Sequence, residues 1–149
     1  MKSKKLKLWV EGARLRTLPL AIAPVAIGAG AADSVQAFDL TLTLLALSVA
    51  LFLQIGVNYA NDYSDGVRGT DDYRVGPLRL TGSKSVRPEA VKLAAFAFFG
   101  LAAASGLAIV LITGMFWLIA VGLAAIVAAW FYTGGKNPCL LYTSDAADE

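Results

Sequence analysis

Residues 39–60 read DLTLTLLALSVALFLQIGVNYA, and the acidic run NDYSD follows directly at residues 61–65. The first of these stretches carries a single charge, Asp39, in its opening turn. About 20 mainly apolar residues suffice for a helix to cross the hydrocarbon core of a bilayer. Working outward, residues 15–32, 89–112 and 115–133 meet the same standard. The last of them holds no charge, and Arg16, Glu89 and Lys92 are confined to terminal turns of the others. Across all 149 residues 57% are hydrophobic and 16% are charged, against about 25% charged in an ordinary soluble domain. The pattern predicts an all-α fold, a polytopic transmembrane helix bundle with four spans, whose partner is the lipid bilayer.

The placement of lysine and arginine orients that bundle. Lys2, Lys4, Lys5, Lys7, Arg14 and Arg16 precede or open the first span. Arg68, Arg74, Arg79, Lys84 and Arg87 lie between the second and third, Lys92 opens the third, and Lys136 follows the fourth. The connections at residues 33–38 and 113–114 contain no basic residue. All 13 cations therefore fall on one face of an up-and-down arrangement. The positive-inside rule makes that face cytoplasmic, with the N-terminus and the loop at residues 61–88 on it, and the expected location is a bacterial plasma membrane.

Residues 1–12 read as a basic amphipathic lead-in, with Leu6, Leu8, Trp9 and Val10 able to lie in the interface. A basic start followed by an apolar run also resembles a secretory signal, but the further spans that follow favour a retained helix. Pro19 and Pro24 fall inside the first span, where proline removes a backbone hydrogen bond and favours a kink. Small residues at 26–32, and at Gly100, Ala104 and Ala108, predict close helix contacts. Trp9, Trp117 and Trp130 sit near the expected interfaces, as belt residues do. The absence of histidine removes imidazole acid–base chemistry, and a single cysteine, Cys139, excludes an internal disulfide. The net charge of +2 arises from the cationic face, and no nucleic-acid patch is present.

The functional signal begins where the second span ends. Gln54, Asn58 and Asp62 recur every four residues, as do Asn61 and Asp65. Such residues share a helix face, so a polar ridge rises through the span and ends in carboxylates. Polar groups within a span are costly in lipid and belong against protein or a watery cavity. Asp71 and Asp72 follow after Gly69, close enough in sequence to fold back. Oxygen donors without nearby histidine or cysteine suit a hard cation, magnesium rather than zinc. Magnesium is commonly held by one or two carboxylates together with substrate phosphates, and the interleaved cations would neutralise the remaining phosphate charge. Two readings stay open on the residues alone: a cytoplasm-facing site for a phosphorylated lipid, or a solvated loop whose acids and bases pair with each other.

The stretch Asn61-Asp-Tyr-Ser-Asp65-Gly-Val-Arg-Gly69-Thr-Asp71 resembles the first aspartate-rich motif, NDxxDxxxD, of the UbiA prenyltransferase superfamily. The form with glycine before the last acid is that of the 1,4-dihydroxy-2-naphthoate polyprenyltransferases of menaquinone synthesis. Leu15-Arg-Thr-Leu-Pro19, Leu53-Gln-Ile-Gly-Val-Asn58, Gly76-Pro-Leu-Arg79 and Tyr132-Thr-Gly-Gly135 are similar to the same subfamily in the same order. The likeness covers residues 13–138.

The resemblance implies the N-terminal part of a nine-helix fold around a cavity open to lipid, with a second aspartate-rich motif completing the site. It implies magnesium-dependent transfer of a polyprenyl group from polyprenyl diphosphate to an aromatic acceptor, with catalytic roles for Asn61 and Asp65. The metal ligands it implies are Asn61 and Asp65, with Asp71 or Asp72 as the last acid, because Gly69 departs from the basic spacing. Asp62 is expected to support the loop. Arg68, Arg74, Arg79 and Lys84 are candidates for the diphosphate, some of them serving topology instead. Arg16, Gln54 and Asn58 are candidates for the acceptor, with Arg16 as an interfacial anchor the alternative. Residues 139–149 fall outside the likeness and resemble translated adapter sequence, which would make the chain about half of a protein. The acceptor implied is 1,4-dihydroxy-2-naphthoate, giving demethylmenaquinone. The competing readings are another UbiA-type prenyltransferase with a different acceptor, or a small membrane protein that binds a lipid diphosphate without catalysis. A repeat-built transporter is disfavoured, because the Asn58–Asp65 pattern does not recur in the third and fourth spans.

Overall fold

The computed structural model describes residues 2–68, 80–81 and 85–133, with side chains from Leu6 onward. Asp71, Asp72, Arg74, Arg79, Lys84 and residues 134–149 lie outside the described residues, as do the side chains of Arg68 and Thr133. Every regular element among the described residues is helical: α1 (Lys2–Gly12), a 3-10 turn (Leu15–Thr17), α2 (Leu18–Ser34), α3 (Leu40–Arg68), α4 (Pro88–Thr113) and α5 (Trp117–Thr133).

Three helical stretches are long and apolar enough to cross a membrane: Leu6–Ser34, Leu40–Val67 and Pro88–Thr113. The fourth apolar helix, Trp117–Tyr132, is shorter within the described residues. The expected all-α bundle is thus present, with three full-length candidates and one shorter one.

The first span departs from a continuous helix. Arg14 adopts a left-handed backbone at φ 51°, and α2 starts only at Leu18. Pro19 therefore sits in the first turn of α2, where its missing N–H costs nothing, and only Pro24 is interior. Asp39 caps α3, its Oδ1 accepting the Leu42 N–H at 2.8 Å. At the other end of the pair, Gly114 closes α4 in the left-handed region at φ 70°, its N–H bonded to the Val110 carbonyl at 2.8 Å. A side chain there would be strained, so glycine permits the tight passage into α5.

With 29 residues, α3 extends about 43 Å at 1.5 Å per residue, beyond a core of about 30 Å. It continues through Arg68, so Asn61, Asp62 and Asp65 stand on its last turns rather than on an irregular loop.

Packing centres on α3 and α4. Gly56 meets the ring of Phe99, and a Cβ there would come within 2.7 Å of it. Phe99 is buried together with Val91, Ala95 and Ala102 along one stripe of α4. Of the small residues expected at helix contacts, Gly100 and Ala104 are exposed among the described residues and Ala108 is half-buried. This helix is apolar all round, so spacing alone does not choose the stripe that packs. Farther along, α3, α4 and α5 enclose an apolar groove of about 570 Å³, lined by residues such as Val49, Leu53, Gly106 and Ile126.

Candidate functional site at the C-terminal end of α3

At 100° per residue, Gln54, Asn58, Asn61 and Asp65 fall within about 60° of one another around α3. The lower half of this ridge is committed to the break between α1 and α2. Asn58 is buried, and its Nδ2 donates to the Ala13 carbonyl at 2.8 Å and to Thr17 Oγ1 at 3.0 Å. Gln54 Nε2 donates to the same hydroxyl at 3.2 Å. Thr17 Oγ1 in turn donates to the Arg14 carbonyl at 2.9 Å. One hydroxyl thus gives its single proton and fills both acceptor positions. The network holds Arg14 in a backbone conformation that a non-glycine residue adopts only where its surroundings fix it.

Arg16 is exposed on that same 3-10 turn, next to Thr17. The structure therefore gathers Gln54, Asn58 and the turn bearing Arg16 at one place. Thr17 was missed by sequence reasoning, although it lies within the Leu15–Pro19 stretch already singled out. Its hydroxyl gains meaning only when α3 is laid beside it.

Higher on the ridge, Asn61 and Asp65 are half-buried and one turn apart on one face. Asp62, between them in sequence, points elsewhere and is 1% exposed. Its Oδ2 accepts the Leu80 N–H at 2.8 Å and its Oδ1 the Thr81 N–H at 2.9 Å. This supports the expectation that Asp62 serves the loop. Leu80 is fully buried in a cluster with Ala13, Tyr59, Ala60 and Val91.

Tyr59 and Trp9 tie α1 to this end of α3. The Tyr59 hydroxyl donates to the Trp9 carbonyl at 2.8 Å, and the two rings meet edge to face at 5.5 Å. On the α5 side, Tyr63 stacks on Trp130 at 6.3 Å, and the Lys92 ammonium lies 5.7 Å from the Tyr63 ring centre. Trp130 also lies against Phe96 at 4.8 Å, so it packs within the helix bundle.

Asn61 and Asp65 present oxygen-bearing side chains on this face, and both oxygens of Asp62 accept backbone N–H groups. No group of three acidic, histidine or cysteine side chains able to hold a metal occurs among the described residues. One carboxylate and one amide oxygen on a shared face fit magnesium, which completes its shell with substrate phosphate and water.

Comparison with known sequences decides the relationship. The chain is 57% identical over 130 residues to a 1,4-dihydroxy-2-naphthoate octaprenyltransferase of Mycobacterium tuberculosis, covering 87% of this chain and 44% of that protein. The chain is homologous to the 1,4-dihydroxy-2-naphthoate octaprenyltransferases. The enzyme of the same name from Mycobacterium leprae is 51% identical over the same shares. That of Escherichia coli is 36% identical over 140 residues, 90% of this chain and 46% of the relative. The chain thus spans less than half the length of these octaprenyltransferases. No protein-family model matches it, and no solved structure does.

Proposed function

We propose that the full-length protein is a prenyltransferase of menaquinone biosynthesis, of the UbiA type, in a bacterial plasma membrane. It moves a polyprenyl group from polyprenyl diphosphate to 1,4-dihydroxy-2-naphthoate, giving a product of the demethylmenaquinone type. The observation that carries this reading is the 57% identity to an enzyme named for that transfer. The geometry agrees with it, because Asn61 and Asp65 share a face while Asp62 is withdrawn from it.

In this reading Asn61 and Asp65, with Asp71 or Asp72, hold magnesium at the diphosphate. A magnesium ion held there would supply the positive charge that stabilises the departing pyrophosphate. Arg68, Arg74, Arg79 and Lys84 supply further charge to the same group. The allylic carbon–oxygen bond breaks, pyrophosphate keeps the electron pair, and an electron-rich ring carbon of the acceptor bonds to the prenyl carbon. Loss of the acceptor carboxylate as CO2 then restores the aromatic ring as the 1,4-dihydroxy (quinol) product. Arg16 meets the acceptor carboxylate, on a turn that Gln54 and Asn58 hold in place. Residues 61–88 lie on the cytoplasmic side with the N-terminus, where soluble substrates and magnesium are available. The 149 residues carry one aspartate-rich motif, and by themselves they are expected to give no turnover.

The test is an assay of the full-length gene product in lipid nanodiscs with magnesium, a polyprenyl diphosphate and dihydroxynaphthoate. A prenylated naphthoquinol, read as its quinone after air oxidation, absent with EDTA and absent in Asp65→Asn, is the expected result. Transfer that persists undiminished in Asp65→Asn would remove this site from the reaction.

A further inference from the structure

Two consecutive backbone amides, those of Leu80 and Thr81, converge on one buried carboxylate 18 and 19 residues earlier in the chain. Bonds to an ionised acceptor are the stronger kind, and here both oxygens of Asp62 are used. With 1% of its surface exposed, Asp62 presents no open face to a ligand.

The anchor is reinforced by shape. Leu80 has 0% exposure and fills the space beside Gly12, where an added Cβ would come within 2.5 Å of Leu80 Cδ1 and 3.2 Å of the Tyr59 ring. The Leu80 carbonyl then accepts the Val86 N–H at 3.1 Å, two residues before α4 begins at Pro88. One short segment is therefore fixed to the end of α1, to α3 and to the approach to α4. It is fixed at the helical turn that carries Asn61 and Asp65, and Arg79 is covalently joined to it.

We infer that Asp62 is a positioning residue, which pins the Leu80–Thr81 backbone over the end of α3 at the turn that carries Asn61 and Asp65, and that it is not a ligand of the metal. This rests on the reading of Asn61 and Asp65 as the diphosphate site. An aspartate inside an aspartate-rich motif would ordinarily be counted with the metal ligands. Here its chemistry is spent on the protein's own backbone.

The test uses the full-length gene product in nanodiscs, as wild type, Asp62→Asn, Gly12→Val and Leu80→Ala. The last two leave every carboxylate in place, and keep the question answerable if Asp62→Asn does not fold. Hydrogen exchange at the Leu80 and Thr81 amides is followed by mass spectrometry, beside kcat, donor KM and the magnesium concentration for half-maximal rate. In wild type these amides are expected to be protected. In all three variants exchange should quicken by about tenfold or more as the local opening becomes easier. Donor KM should rise by about tenfold with kcat changed less than about threefold, the signature of lost binding rather than lost chemistry. Magnesium half-saturation at saturating donor should stay within about twofold of wild type, because no metal ligand has been removed.

Asp62→Asn that keeps the two amides protected while kcat collapses and the magnesium requirement rises would overturn the inference and make Asp62 a ligand. Wild-type amides exchanging as freely as an open chain would also overturn it. If wild type transfers nothing to naphthoate yet the exchange differences hold, the proposed activity fails and the anchor is upheld.

Discussion

The side-chain amide of Asn58, buried on α3, donates at 2.8 Å to the carbonyl oxygen of Ala13, which lies 45 residues earlier at the left-handed break between α1 and α2. A transmembrane helix frees backbone groups wherever it breaks, and those groups must find partners away from water. Asn58 meets that need for Ala13 and, with Gln54, for Thr17. The polar ridge of α3 is therefore divided in two. Its lower half completes the first span, and its upper half carries Asn61 and Asp65, half-buried on one face.

Asn58→Ala should destabilise the protein by about 1–3 kcal/mol, since the Ala13 carbonyl loses its buried side-chain donor and Thr17 Oγ1 keeps only Gln54. Equilibrium unfolding in mixed micelles measures this. A shift no larger than that of an exposed alanine substitution on the same helix would count against the network. Asn58→Asp should be worse than a neutral loss, because it sets a carboxylate against the Ala13 carbonyl.

Gly56 of α3 makes room for the Phe99 ring of α4. A methyl group there meets Phe99 Cδ1 and Cε1 at 2.7 Å, and Phe99 is buried and cannot swing aside. Gly56→Ala should therefore cost about 1–3 kcal/mol as overpacking. The double variant Gly56→Ala, Phe99→Leu should recover part of that loss. Additive losses in the double variant would show that the two residues do not share this space.

The distribution of cations makes a topological prediction that the exposed connections can report. In a Cys139→Ser background, cysteines placed at Val35 and Phe116, which are 72% and 66% exposed, should react with an impermeant thiol reagent added outside intact cells. A cysteine at Lys7, 80% exposed on α1, should react only after the membrane is opened. The opposite pattern would invert the orientation and place the aspartates away from the cytoplasm.

Much of this architecture was legible because membrane spans announce themselves by length and apolarity, and because a period of four puts Gln54, Asn58, Asn61 and Asp65 on one side of α3. The break at Arg14–Thr17 was not legible. Neither glycine nor proline stands at Arg14, and its left-handed backbone is imposed by Asn58 and Thr17 through contacts made across the fold. Which stripe of α4 meets α3 was not legible either: the helix is apolar all round, and Ala95, Phe99 and Ala102 are buried there, with Phe99 against Gly56. Asp62 was separable in principle from Asn61 and Asp65 by its angle around the helix. That its partners are the amides of Leu80 and Thr81, and that Gly12 makes room for Leu80, is tertiary information that no local pattern carries.

The central claim is that the face of α3 bearing Asn61 and Asp65 holds the donor diphosphate through magnesium. Its most direct measurement is the affinity of the full-length protein for a non-reactive polyprenyl thiodiphosphate, titrated with magnesium and with EDTA, in wild type and Asp65→Asn. The account expects binding that requires magnesium and weakens by about a hundredfold in the variant, as loss of a charged metal ligand implies. Equal affinity in wild type and Asp65→Asn, or binding indifferent to EDTA, would contradict it.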